Sequence, residues 1–180
     1  MILLIILEFS CQKGTVSLND EVLKAFDQKI CGSAPSVDYH DCYAGLLEKE
    51  RLVNGERVVY IPSLEARQYI STLDTNVLNQ FWVKREGSYT AERGSNPTPM
   101  HFLGYTDGYL AWLEEYAGIE EGKWISSYLQ RYQQMNDISP SSIASFDSTL
   151  TRQNLNNDKV RLIALVHHLT LAYNYNMSGT

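Results

Sequence analysis

What the sequence lacks narrows its class first. No apolar run reaches the roughly 20 residues of a spanning helix; the opening run, MILLIIL, covers residues 1–7. Basic residues are in deficit: 15 Lys and Arg stand against 21 Asp and Glu, for a net charge of −6 and a pI of about 5.2. An acidic surface repels phosphate backbones, which argues against nucleic acid and favours a basic protein or a cationic ligand. Internal repeats and low-complexity tracts are missing. There is no G-x-S-x-G elbow, no cysteine in a reactive setting and no C-x-x-C pair. Nothing therefore announces a serine or cysteine nucleophile, a zinc set, or any other metal or cofactor.

What is present is the composition of an ordinary globular protein. A chain of 180 residues is the size of one domain and can bury about 70% of its unfolded surface, so its core needs neither metal nor disulfide. Hydrophobic residues make up 44% and charged residues 20%, both unexceptional. Tyrosine stands out, with 12 residues against 5 Phe and 3 Trp. Its apolar ring and polar tip suit binding surfaces as well as cores.

The opening apolar run is followed by Glu8, Phe9, Ser10, Cys11, Gln12 and Lys13. It fits the apolar region of a signal peptide, which spans about 7–15 residues. No Lys or Arg precedes it, so the basic start of a complete signal is expected upstream of Met1. Ser10-Cys11, a small residue and a cysteine closing an apolar run, resembles the lipobox of bacterial lipoproteins. That resemblance covers the leader alone. It implies that Cys11 becomes the lipidated N-terminus and that the lipid anchor is the sole membrane contact. Glu8 and the bulky Phe9 depart from the family's pattern. The alternative is a buried N-terminal strand with Cys11 as a core thiol. Residues 1–16 are accordingly read as leader and tether, and residues 17–180 as a single helical globular domain.

Cys31 and Cys42 remain. In an oxidising compartment they can pair across a short loop containing Gly32 and Pro35, for roughly 3 kcal/mol of stabilisation if unstrained. In a cytosol both would be reduced core thiols. Their separation in space is not readable from sequence, so both readings stand.

Helical spacing organises most of the remaining chain. Ser17 caps a helix carrying Leu18, Val22, Phe26 and Ile30, which breaks at residues 32–35. A second helix is expected from about Val37 to Arg51, with Tyr39, Tyr43, Leu46 and Leu47 on its apolar side. Asn54-Gly55 lies before a β-rich stretch at residues 57–61, which predicts a short hairpin over residues 52–61, closed by Pro62. Ser63 and Asp74 open two further helices, the first with Leu64, Ile70 and Leu73, the second with Val77, Leu78, Phe81 and Trp82. Residues 84–99 are polar and hold Gly87, Gly94, Pro97 and Pro99; they read as the longest structureless loop.

Four helices are expected after it. They cover Thr106 to Ala117, ended by Gly118; Glu120 to Met135; a stretch opened by Ser139-Pro140 with Ile143, Phe146 and Leu150; and a stretch opened by Asn157-Asp158 that runs to about Tyr173. Leu162, Ile163, Leu165, Val166, Leu169 and Leu171 make the last of these apolar on most sides, which marks it as the centre of the domain. The expected fold is mainly α, an irregular bundle of about six or seven helices with one small β-hairpin.

Tyr105, Tyr109, Trp112 and Tyr116 form an aromatic stripe at helical spacing, and Trp124, Tyr128 and Tyr132 form a second. Only residues 118–122 separate the two, so the stripes are expected side by side. They read either as a surface for a sugar, peptide or protein partner, or as two core faces with hydroxyls at the rim. His101 lies just ahead of them and joins the candidate surface; with Asp107 six residues on, it could also do acid–base work. His167-His168 sits in the apolar last helix. Adjacent residues there point about 100° apart, which favours a buried, hydrogen-bonded histidine over a metal ligand. Asp38, His40, Asp41 and Cys42 are ligand types on diverging faces, and Glu48/Glu50, Glu114/Glu115 and Glu120/Glu121 read as solvated surface.

These features lead to an expectation of an envelope-associated, lipid-anchored helical protein, periplasmic or surface-facing. It would bind a protein or small-molecule partner, a basic one suiting its charge best, without catalysis. Three alternatives accompany it. One is a small hydrolase using His101 and Asp107. Another is a periplasmic immunity protein against a basic toxin. The last is a cytoplasmic regulator with a winged-helix-like element over residues 43–61, where Glu48 and Glu50 beside Lys49 and Arg51 count against DNA.

Overall fold

In the computed structural model, which describes residues 20–32, 38, 39, 41–43, 52, 53, 56, 57, 63–89, 98–135, 146, 148–150 and 152–175, the architecture is mainly helical. The chain runs through α1 (Asp20–Cys31), β1 (Leu52–Val53), β2 (Glu56–Arg57), α2 (Ser63–Thr72), α3 (Thr75–Phe81), β3 (Trp82–Tyr89) and β4 (Thr98–Tyr105). It continues through α4 (Asp107–Ala117), a 3-10 turn (Glu120–Ile125), α5 (Ser126–Met135) and α6 (Asp158–Tyr175). Residues 39, 41–43, 146 and 148–150 are also helical. The leader with Cys11, His40, Glu48, Glu50 and Ser139-Pro140 lie outside the described residues.

α6 is the centre of the fold, as its composition predicts. Every residue from Val160 to Ala172 is buried. Its start is capped: Asn157 Oδ1 accepts the Lys159 amide at 2.9 Å, and Asp158 sits in the first turn, where the helix dipole favours a carboxylate. α1, α2 and β4 pack on it. α1 contributes Val22, Leu23 and Phe26, and α2 contributes Ala66 and Ile70. No helix among the described residues is long and apolar enough to cross a membrane. In α6 the apolar residues are interrupted by Arg161, His167, His168 and Thr170, all buried.

Arg161 shows how such a group is accommodated. Its Nε lies 3.2 Å from Asp27 Oδ2 on α1, its Nη1 donates to the Leu155 carbonyl at 2.8 Å, and its Nη2 donates to Asp158 Oδ1 at 2.6 Å. The guanidinium carbon stands 3.8 Å from the centre of the Tyr39 ring. Asp27 Oδ1 also accepts from Tyr43 Oη at 2.7 Å. Burial pushes the Asp27 carboxyl above the usual range, while the Tyr43 and Arg161 donors pull it back. Tyr39 and Tyr43 are fixed over this pair by a covalent bond, because Cys31 at the end of α1 and Cys42 form a disulfide with a Cα–Cα distance of 5.3 Å.

Both strand pairs are antiparallel hairpins. The expected small one is β1–β2, with Leu52 opposite Arg57 and Val53 opposite Glu56. The second, β3–β4, falls where the sequence pattern predicts a helix running through Trp82 and then a long loop. α3 is capped by Asp74, whose Oδ1 accepts the Asn76 amide at 2.7 Å, but it ends at Phe81, and Trp82 is already extended. Eight residue pairs follow, from Trp82 opposite Tyr105 to Tyr89 opposite Thr98. Val83, Lys84 and Glu86 of β3 are exposed. A strand with so little buried side chain shows no apolar alternation, so its sequence resembles a loop.

Asp27→Ala is expected to lower stability by about 3 kcal/mol in chemical denaturation, because it removes the buried carboxylate and leaves the Arg161 cation paired only with the exposed Asp158. Cys31→Ser is expected to cost about 3 kcal/mol through loss of the short-loop crosslink. The pH profile carries a further signature. Since the folded Asp27 holds its proton to higher pH than the unfolded one, its contribution is full below the ordinary aspartate range and is lost as pH rises through the folded value. Asp27→Asn should flatten that part of the stability curve.

Candidate functional site

α4 and α5 carry the two aromatic stripes, and local sequence features lay them side by side. Thr106 starts α4: its Oγ1 accepts the Tyr109 amide at 3.2 Å and donates to the Gln80 carbonyl at 2.7 Å. Gly118 ends it. At Gly122 the 3-10 turn passes directly against the Tyr116 carbonyl, and any Cβ there would collide with that backbone. The reversal therefore requires glycine at this position.

The stripes face inward. Tyr105, Tyr109, Tyr116, Tyr128 and Tyr132 are buried, while Trp112 and Trp124 are half-buried and pack against the same core. The tyrosines are thus not available as the partner surface that the spacing also allowed. Their rings fill the interior and their hydroxyls satisfy one another. Tyr105 Oη and Tyr128 Oη are 2.7 Å apart, and Tyr128 Oη lies 3.1 Å from His167 Nδ1 on α6. The Tyr105 amide donates to Tyr132 Oη at 2.8 Å. Tyr105 stacks on Tyr132 with centroids 4.6 Å apart, and Phe146 stacks on His167 at 3.9 Å.

Two further links join α6 to the hairpin. Trp82 Nε1 donates to Thr170 Oγ1 at 2.8 Å, and that hydroxyl donates to the Val166 carbonyl at 2.6 Å. Asn174 clasps the backbone of β4: its Oδ1 accepts the Leu103 amide at 2.8 Å and its Nδ2 donates to the Leu103 carbonyl at 2.9 Å. Burial pushes the Tyr105, Tyr109 and Tyr128 hydroxyls far above the usual phenol range. They stay protonated and serve as structural donors, not as bases. His167 and His168 are both buried, as the apolar surroundings predict. Among the described residues no group of three or more His, Cys, Asp or Glu could hold a metal ion.

His101 and Asp107 are both exposed. His101 lies on β4 opposite Glu86, and Asp107 opens α4. The strand carries His101 roughly 13 Å from Tyr105, and no described hydrogen bond joins His101 to Asp107. Their spacing in sequence is thus not converted into a catalytic contact.

What α4 and the turn present to solvent is carboxylate. Asp107, Glu114, Glu115, Glu120 and Glu121 are all exposed, and residues 107–122 contain no Lys or Arg. Glu114 accepts from Gln133, Glu121 from Asn157, and Glu120 pairs with Lys123. Trp112 lies on the same helix, stacked between Tyr109 at 5.7 Å and Tyr116 at 5.8 Å. Its helical neighbours include Glu115 and Gly108, and a Cβ at Gly108 would meet nothing within 4 Å. A half-buried indole with an open flank and adjacent carboxylates is suited to a cationic side chain. No family model, curated protein or solved structure matches this chain.

The sequence reading did not single out Arg161, Asp27 or Asn174. A cation inside the apolar part of the last helix is the available signal for Arg161; no local pattern marks the other two.

Tyr128→Phe removes the hydroxyl that links Tyr105 to His167 and is expected to cost about 1–3 kcal/mol in denaturant titration. Tyr109→Ala should cost about 3–5 kcal/mol, because it empties a buried ring site. Trp112→Ala should cost distinctly less, and equal losses for the two would show that Trp112 is as deeply embedded as Tyr109.

Proposed function

We propose that this protein acts outside the cytoplasm as a binding protein whose acidic α4 face receives a basic partner. The observation that carries this reading is the run of five exposed carboxylates over residues 107–122, a stretch without Lys or Arg, with Glu115 one helical turn from the half-buried Trp112. Such a face raises the encounter rate with a cationic surface and selects against acidic ones. The indole adds an anchor for an Arg or Lys side chain. An inhibitor of a basic enzyme, of the immunity-protein kind, is one role that this charge fits.

The location rests on separate support. A Cys31–Cys42 disulfide belongs to an oxidising compartment. The lipobox-like Ser10-Cys11 adds an anchor at Cys11, with the folded body held at the envelope surface.

The native protein from the cell envelope is expected to show Cys31 paired with Cys42 and acyl chains on Cys11 by intact mass. Its partner should be basic and should be released by raising the salt concentration. Glu114→Lys together with Glu115→Lys should abolish that binding while leaving the unfolding midpoint in place, since both side chains are exposed. An uncleaved, acyl-free chain recovered from the cytoplasm would sink the location. A partner held equally well by the reversed-charge variant would sink the binding face.

A further inference from the structure

The two edges of the β3–β4 hairpin are treated differently. Asn174 uses both backbone groups of Leu103 on the outer side of β4, and the Tyr105 amide on that side is taken by Tyr132. β4 is therefore covered by side chains of α6 and α5. The same contacts fix the hydrogen-bond phase of the hairpin. Leu103 directs its N–H and C=O outward, so Lys84 opposite it does the same on the far side. Glu86, two residues on, shares that phase. Among the described residues, nothing pairs with β3 on that side, and Lys84 and Glu86 are exposed.

We propose that a second copy of this chain pairs its own β3 antiparallel to this edge, about a twofold axis at Arg85, giving a four-stranded sheet in the order β4–β3–β3–β4. Two independent constraints select this register. The outward phase requires Lys84 and Glu86 to be hydrogen-bonded positions, which places the axis at a residue and not midway between two. Centred on Arg85, Lys84 falls opposite Glu86 of the partner subunit, and Glu86 opposite Lys84 of the partner subunit. That arrangement makes four backbone hydrogen bonds and two ion pairs. The neighbouring symmetric registers, centred on Lys84 or Glu86, set that charge against its own copy and form no ion pair.

The other side of the sheet agrees with the same register. Val83, one of the few large apolar side chains exposed among the described residues, at 40%, falls opposite Gly87 of the partner subunit, where there is no Cβ to obstruct it. Arg85 meets its own symmetry mate, and two cations face to face would repel. The Arg85 guanidinium, however, is folded back across Gly104 on β4, in space that a Cβ at that glycine would occupy. It is thereby turned away from the axis. The charges that keep most strands off an exposed edge here admit one partner strand, namely a copy of itself. The contact is small, so the dimer is weak and depends on concentration.

The test is sedimentation equilibrium of the full chain across a concentration series, with charge-swap variants. The wild type is expected to dimerise reversibly, and the Lys84 and Glu86 amides should exchange more slowly as the dimer forms. Lys84→Glu or Glu86→Lys alone sets like charges opposite each other at both positions and should weaken association about tenfold or more. The double variant Lys84→Glu/Glu86→Lys should restore it. Arg85→Cys should crosslink with its symmetry mate under mild oxidation, since facing residues in a non-hydrogen-bonded pair sit about 4.5 Å apart at Cα, within disulfide reach. Circular dichroism confirms that each variant is folded. A wild type that stays monomeric up to about 1 mM overturns the proposal. So does a dimer that survives the single charge reversals unchanged, or that the double swap fails to restore.

Discussion

Everything else in this fold depends on α6 being surrounded. A helix with no solvent-facing side can keep a polar group only where a neighbour satisfies it. His167, Thr170 and Asn174 are spaced three and four residues apart, so they line one face. They meet Tyr128, Trp82 and the Leu103 backbone in turn. Arg161 lies nine residues before Thr170, about 180° around the axis, and meets Asp27 on α1. The polar side chains of α6 thus specify which element packs on which side. Apolar contacts alone would leave the azimuth of each neighbour loosely set.

How far this was legible in sequence depends on the range of each signal. Short-range signals read well: Gly118 at the end of α4, Asn157 and Asp158 at the start of α6, and Asn54-Gly55 between β1 and β2. The apolar girth of α6 also marked it as central. The aromatic stripes were legible as helical faces, but periodicity does not say whether a face meets water or protein. Tyrosine, apolar in its ring and polar at its tip, leaves the matter open. The β3–β4 hairpin was hidden because Val83, Lys84 and Glu86 on β3 and His101 on β4 are exposed, so neither the alternation of a buried strand nor a two-residue turn signal announced it. Pro99 read as part of a loop for the same reason, although an edge strand accepts proline.

The ion pair was out of reach for a different reason. Asp27 and Arg161 are 134 residues apart, and no local rule couples positions that distant. Of the two readings that the aromatic stripes allowed, the buried core face is the one the tyrosines take. The tyrosines turn to the interior, and the carboxylates between them, which read as solvated surface, are exposed. Trp112 is the exception, because it spans both zones, stacked on buried rings with one flank open.

The position of α6 also has a consequence for synthesis. α1, α2, β4 and α5 are all translated before the helix on which they pack. Until α6 emerges, none of them has its main apolar neighbour, and Asp27 has no cation. A nascent chain from which the central post is still missing cannot lock these elements into their final arrangement, so their assembly must wait for α6. Such a chain remains threadable, which is the condition that a general secretory channel imposes on its passengers.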